Sequence, residues 1–153
     1  MLNINQILNE TAETLRGLDF MDGIPVIVEE KADPDNETEM TIAQQSLCVV
    51  VGEGGFEPTV QAPDPNSPNS VIGSATVVVS VFEKPVVNRA DEGAKTTKQL
   101  SREISKALAW CQAGGMAAPL FLRRITPISL FRVEGDQDAI ITRDVEFTTT
   151  AEL

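Results

Sequence analysis

From Ser74 to Phe82 the chain alternates two rows of side chains: Ala75, Val77, Val79 and Val81 in one, Thr76, Val78, Ser80 and Phe82 in the other. A period of two belongs to an extended strand, and β-branched residues favour it. Both rows are largely apolar, so neither face of this strand suits bulk water. It must lie centrally in a sheet, with paired neighbours and packing material. A chain of 153 residues is long enough to supply these around one core, and a single domain over 1–153 is expected.

The rest of the chain offers the partners. Leu2, Ile4, Ile7, Leu8, Leu15 and Leu18 form an imperfect apolar stripe at helical spacing, with Asn3 or Asn5 as a cap and Gly17 near the end. Ile24 to Val28 reads as a short strand with Pro25 at its start. Gln45 to Val51 reads as a second strand, stopped by a turn at Gly52-Glu53-Gly54-Gly55. Residues 57–71 form a proline-rich flap: Pro58 to Ser70 alone holds four prolines, two asparagines and two serines.

The main helix is expected from Thr96 to Ala113. Leu100, Ile104, Ala107, Leu108 and Cys111 make its stripe, Thr96 and Gln99 its capping box, and Gly114-Gly115 its stop. Phe121 to Val133 is a strand interrupted at Pro127, which suits an edge or a bulge. Ile141 to Thr150 returns beside it. The predicted fold is α+β: a single, mostly antiparallel sheet flanked by an N-terminal helix and one long helix, in the order α-β-β-(flap)-β-α-β-β.

Composition narrows the function classes. The 23 acidic residues against 12 basic ones leave a net charge of −11. That balance disfavours gripping a phosphate backbone or an anionic membrane. No apolar run approaches the roughly 20 residues of a membrane helix. The start of the chain lacks a basic region followed by an apolar stretch, so a reducing, cytoplasmic setting is expected. Cys48 and Cys111 each sit in an apolar run and read as buried free thiols.

The chain contains no histidine, which excludes a Ser-His-Asp triad, a Cys-His pair and the commonest zinc ligand sets. Asp33 to Glu39 spaces acids as a calcium loop does, but Thr38 stands where that loop needs glycine and Gln44 where it needs a bidentate glutamate. Gly52 to Phe56 lacks the Lys-Ser or Lys-Thr and the helix of a phosphate loop. No catalytic residue, metal or cofactor is assigned. Two stretches remain as candidate assembly surfaces. One is Glu83-Lys84-Pro85-Val86-Val87-Asn88-Arg89, where an apolar pair sits in an apparent surface bend. The other is Arg123-Arg124, two cations in an apolar edge strand that should face opposite sides of the sheet.

Three segments carry a family resemblance: the N-terminal helix "LNINQILNETAETLRGL", the strand–loop–helix unit "TVVVSVFEKPVVNRADEGAKTTKQLSREISKAL", and the final strand "ITRDVEFTTTAEL". In layout they resemble the phage tail terminator and tail-completion proteins, the lambda minor tail protein U group. The proline-rich flap has no place in that pattern. The resemblance implies a non-enzymatic virion protein, made in the host cytoplasm, whose copies form a homohexameric ring on the head-proximal end of the tail tube. Its partners would be itself, the tail tube protein and the head connector or neck protein, with DNA passing through the lumen without specific binding. Alternative readings are another neck or tail-tube component, a small metal-dependent hydrolase using the Asp33 to Glu39 carboxylates, and a peptide-binding module.

Overall fold

A computed structural model of the protein describes residues 2–29, 45–59, 66, 70–110, 119–132, 135 and 138–153. Helix α1 spans Ile4–Arg16 and is followed by a 3-10 turn, Asp19–Met21. Strands β1 (Val26–Val28), β2 (Leu47–Pro58) and β3 (Ile72–Glu83) precede a single helical turn α2 (Pro85–Asn88) and helix α3 (Thr97–Leu108). Strands β4 (Phe121–Ile125), β5 (Ser129–Phe131) and β6 (Ile140–Glu152) follow. The α+β expectation holds.

The six strands form one mixed sheet in the order β1-β2-β3-β6-β4, with β5 also on β6. Among the described strands β1 and β2 run parallel, and the other pairs are antiparallel. As its two apolar rows require, β3 is central: it pairs with β2 along one edge and with β6 along the other. Segments β4 and β5 are successive pieces of one outer strand along β6. Pro127, lying between them, cannot donate to a ladder, and the break falls there.

Both long helices cover the same face of the sheet. Ile4, Ile7, Leu8, Ala12 and Leu15 of α1, with Leu100, Ile104 and Leu108 of α3, join Val49, Val51, Val77, Val79, Val81, Val145 and Phe147 in the main core. Each buried aliphatic side chain contributes about 1.5–3 kcal/mol of transfer free energy, which exceeds the few tenths per residue set by helix propensity. The opposite face carries a smaller apolar cluster at one end, built on Cys48, Val50 and Ile140 with Ile27, Phe82 and Phe131 around them. Towards the other end that face turns polar.

The helix starts follow local chemistry. Asn3 accepts from the Gln6 amide at 2.9 Å while Gln6 accepts from the Asn3 amide at 3.0 Å. Thr96 and Gln99 do the same for α3. These reciprocal bonds satisfy amides that a helix start leaves without intrahelical partners.

Three expectations are corrected. The glycines at 52–55 do not end β2, which runs on to Pro58 and absorbs an extra residue at Gly54 as a bulge. A Cβ on Gly54 would lie 2.7 Å from a Val78 methyl, so glycine lets the bulged backbone lie close over β3. The flap is shorter than 57–71 accordingly: Glu57 and Pro58 are strand, and Thr59 donates to the Ile72 carbonyl at 2.8 Å. Its middle, 60–65 and 67–69, lies outside the described residues. Helix α3 stops at Leu108, ahead of Gly114-Gly115, because Trp110 takes a left-handed conformation (φ 62°) and donates its amide to the Leu120 carbonyl at 2.8 Å. Cys111 and Gly114-Gly115 themselves lie outside the described residues, as does the Asp33 to Glu39 acidic loop.

Candidate assembly surface

The apolar row of β3 does not end at Val81. Glu83 continues it in register, so its side chain points into the helix-covered face and is 1% exposed. A bare carboxylate there would be costly. Five donor contacts answer it. The Asn88 amide nitrogen lies at 2.7 Å, the Thr97 hydroxyl at 2.8 Å and the Thr97 backbone amide at 3.1 Å. Arg89 approaches at 3.3 and 3.4 Å. Burial alone would raise the Glu83 pKa, but the hydrogen bonds from Asn88, Thr97 and Arg89 outweigh it and hold the carboxyl below the ordinary 4.5. Thr97 is the first residue of α3, so the charge also sits at the positive end of that helix.

The predicted Glu83–Arg89 stretch therefore divides into an inner and an outer part. Glu83, Lys84 and Asn88 are buried, at 1%, 8% and 5% exposure. Asn88 also donates to the Lys95 carbonyl at 2.7 Å, tying the loop before α3 to the turn. Pro85 occupies the first position of α2, where no amide hydrogen is needed. Val86 and Val87, by contrast, face outward at 72% and 50% exposure. They do not fold under their own domain; a rigid turn carries them.

The sequence signal for Glu83 was its parity with Ala75, Val77, Val79 and Val81. The residues that neutralise it, Asn88, Arg89 and Thr97, arrive only when the following turn and helix fold back.

Arg123 and Arg124 do not face opposite sides. The β4–β6 register shifts between Leu122 and Arg124, so Arg123 is an extra residue. A bulge turns two successive side chains towards one face. Arg124 pairs with Glu146, and Arg123 reaches the Thr76 hydroxyl at 3.5 Å; both partners lie on the face that α1 and α3 leave uncovered. Together with Gly54, Gly55 and Thr148 these side chains line a shallow, open trough of about 430 Å³. It is polar and open to water. Among the described residues no group of three or more His, Cys, Asp and Glu is placed to hold a metal ion, and no helix is long and apolar enough to cross a membrane.

Other exposed apolar residues mark the outer strand: Phe121 at 39%, Leu122 at 41%, Ile128 at 45% and Leu130 at 65%. Trp110, 73% exposed, stands edge-on to Phe121 with ring centres 4.9 Å apart. Leu130 pairs with Ile141, which pairs with Glu83. Leu130 thus lies at the same end of the sheet as the Val86-Val87 turn.

No protein-family model and no curated protein matches the chain. Among solved structures, the chain is similar to a chain of the virion of a native gene transfer agent particle. The identity is 17% and the TM-score 0.49, over 94% of this chain and 92% of that one.

Proposed function

We propose that this protein is a structural component of a phage-type virion, a ring-forming tail terminator. In this reading its copies close into a ring on the head-proximal end of the tail tube, end tube growth and present the surface that meets the head connector or neck. It acts by contact and has no catalytic turnover. The layout of the three quoted segments motivates this assignment.

One structural observation carries it: Val86 and Val87 are exposed on a turn whose inner residues are fixed by a buried carboxylate. Two β-branched side chains on a clamped turn lose little entropy when a partner covers them. Leu130 at the same sheet end extends the apolar surface. The net charge of −11 suits a lumen through which DNA slides without sticking.

The test is sedimentation and light scattering of the full chain over a concentration series up to about 1 mM, with and without magnesium. The reading expects a discrete ring, six copies foremost. In a Val86→Asp/Val87→Asp chain it expects loss of that ring with an unchanged melting temperature. Unlimited stacking would assign the protein to the tube instead. A wild-type chain that stays monomeric throughout rejects self-assembly, and a double variant that assembles normally removes this turn from the contact.

A further inference from the structure

The solvent face of α3 is basic. Lys98, Arg102 and Lys106 follow one another at four-residue spacing and are exposed, while Thr97, Leu100, Ser101, Ile104, Ser105 and Leu108 face inward. Residues four apart stack on one side of a helix, so the three cations form a ridge. Glu103, the acid of this helix, is engaged by Lys95 at 2.9 Å. Arg16, Arg89 and Arg124 have carboxylate partners in Glu13, Glu83 and Glu146, while Arg123 and Arg143 donate to neutral oxygens. The three on the ridge have no ion pair among the described residues.

That arrangement works against the isolated helix. Like charges at four-residue spacing destabilise it by about 0.2–0.5 kcal/mol per pair. Lys98 also lies in the first turn, where the helix dipole disfavours a cation. With 23 acids and 12 bases in the chain, three adjacent cations left unpaired on one helix stand out against a negative background.

We infer that the ridge is a docking surface for a second copy of this chain, meeting that copy's acidic surface head to tail. The inference rests on the ring-forming reading above and names one contact within it. Charge complementarity selects the occupant. Every copy is strongly negative outside the ridge, so a second copy meets it with attraction, whereas duplex DNA would gain three cations and be repelled by the rest. A head-to-tail contact needs two different patches on one molecule. The second is carried by α1 and the turn after it: Glu13, which also pairs with Arg16, and Asp19 and Asp22 are all exposed. Helix α1 packs mainly over β1 and β2, and α3 mainly over β6 and β3, so the two patches are carried by different helices of one layer.

The experiment compares three full-length chains by sedimentation, at about 0.05 M and about 0.5 M salt, where screening differs several-fold. They are the wild type, a Lys98→Glu/Arg102→Glu/Lys106→Glu chain, and that chain with Glu13→Lys/Asp19→Lys/Asp22→Lys added. The expected result is salt-weakened association of the wild type, at least about tenfold weaker association of the first variant, and recovery in the second. Far-ultraviolet circular dichroism checks that α3 is intact in each. Association of the first variant at the wild-type midpoint, or no recovery in the second, overturns the inference and leaves the ring reading standing. A monomeric wild type overturns both. Retention of the wild type but not the first variant on duplex DNA at about 0.15 M salt would assign the ridge to nucleic acid and overturn it as well.

Discussion

The hydroxyl and the backbone amide of Thr97 both donate to the same carboxylate oxygen of Glu83, at 2.8 and 3.1 Å. The last residue of the central strand thereby holds the first residue of the main helix. One ion fixes the strand end, the turn bearing Val86 and Val87, and the helix start.

Replacing Glu83 by Gln keeps the shape and removes the charge. An amide nitrogen would then face donors that need an acceptor. The expected loss is about 2–4 kcal/mol in unfolding free energy, read by urea denaturation. A loss below about 1 kcal/mol, within the ordinary range of point substitutions, would show that the carboxylate does not organise this corner.

The same group sets a pH dependence. Its folded pKa lies below 4.5, the ordinary value. Above that value the carboxylate is ionised in both folded and unfolded chains and its contribution is full. As pH falls from 4.5 through the lower folded value, the unfolded chain takes up the proton first, so stability is lost in that window. In the Glu83→Gln chain the acid limb of the stability–pH curve should be shallower by this one proton; superimposable slopes would contradict the assignment.

Gly54 and Gly55 should respond differently to alanine. A methyl on Gly54 would stand 2.7 Å from Val78 and 2.9 Å from Thr76, whereas one on Gly55 meets nothing within 4 Å. Gly54→Ala should cost about 1–3 kcal/mol. Gly55→Ala should be neutral or stabilising by up to about 1 kcal/mol. Equal melting temperatures for the two variants would argue against a bulge at 54.

Cys48 is a free thiol, 1% exposed, with its pKa pushed up to about 11 by burial, a backbone hydrogen bond at Val49 opposing the rise. Thiolate, the reactive form, is therefore scarce at neutral pH. In a Cys111→Ser background, Cys48 should resist an aromatic disulfide reagent at pH 8 and react fully in denaturant. Rapid labelling of the folded chain would place the sulfur at the surface.

Much of the fold was legible because its determinants are local. The Thr96–Gln99 capping box, the choice of Asn3 as one of two candidate caps, the centrality of β3 and the break at Pro127 depend on residues within a few positions of one another. The misread features depend on neighbours distant in sequence. Gly52 to Gly55 look like a turn until β3 is laid alongside and the extra residue becomes a bulge. Arg123 and Arg124 obey strand alternation on paper, and only the shifted register against β6 brings both to one face. Glu83 kept the parity of the core row, but the helix start that stabilises it lies fourteen residues on. The Lys98–Arg102–Lys106 spacing is local, but it means little until the fold shows that Glu103, the one acid of this helix, is taken up by Lys95.

The position of β6 has a consequence for how the molecule forms. It is the last element in chain order, yet it fills the place between β3 and the outer strand pieces β4 and β5. During synthesis the valine-rich β3 can pair with β2 but keeps its other edge open until β6 emerges. Contacts between strands so distant in sequence are slow to form, and an unpaired, apolar edge invites pairing with another chain. Newly made copies therefore pass through an interval in which self-recognition of the wrong kind competes with folding, and chains cut short before Ile140 should aggregate on release where full-length chains stay dispersed.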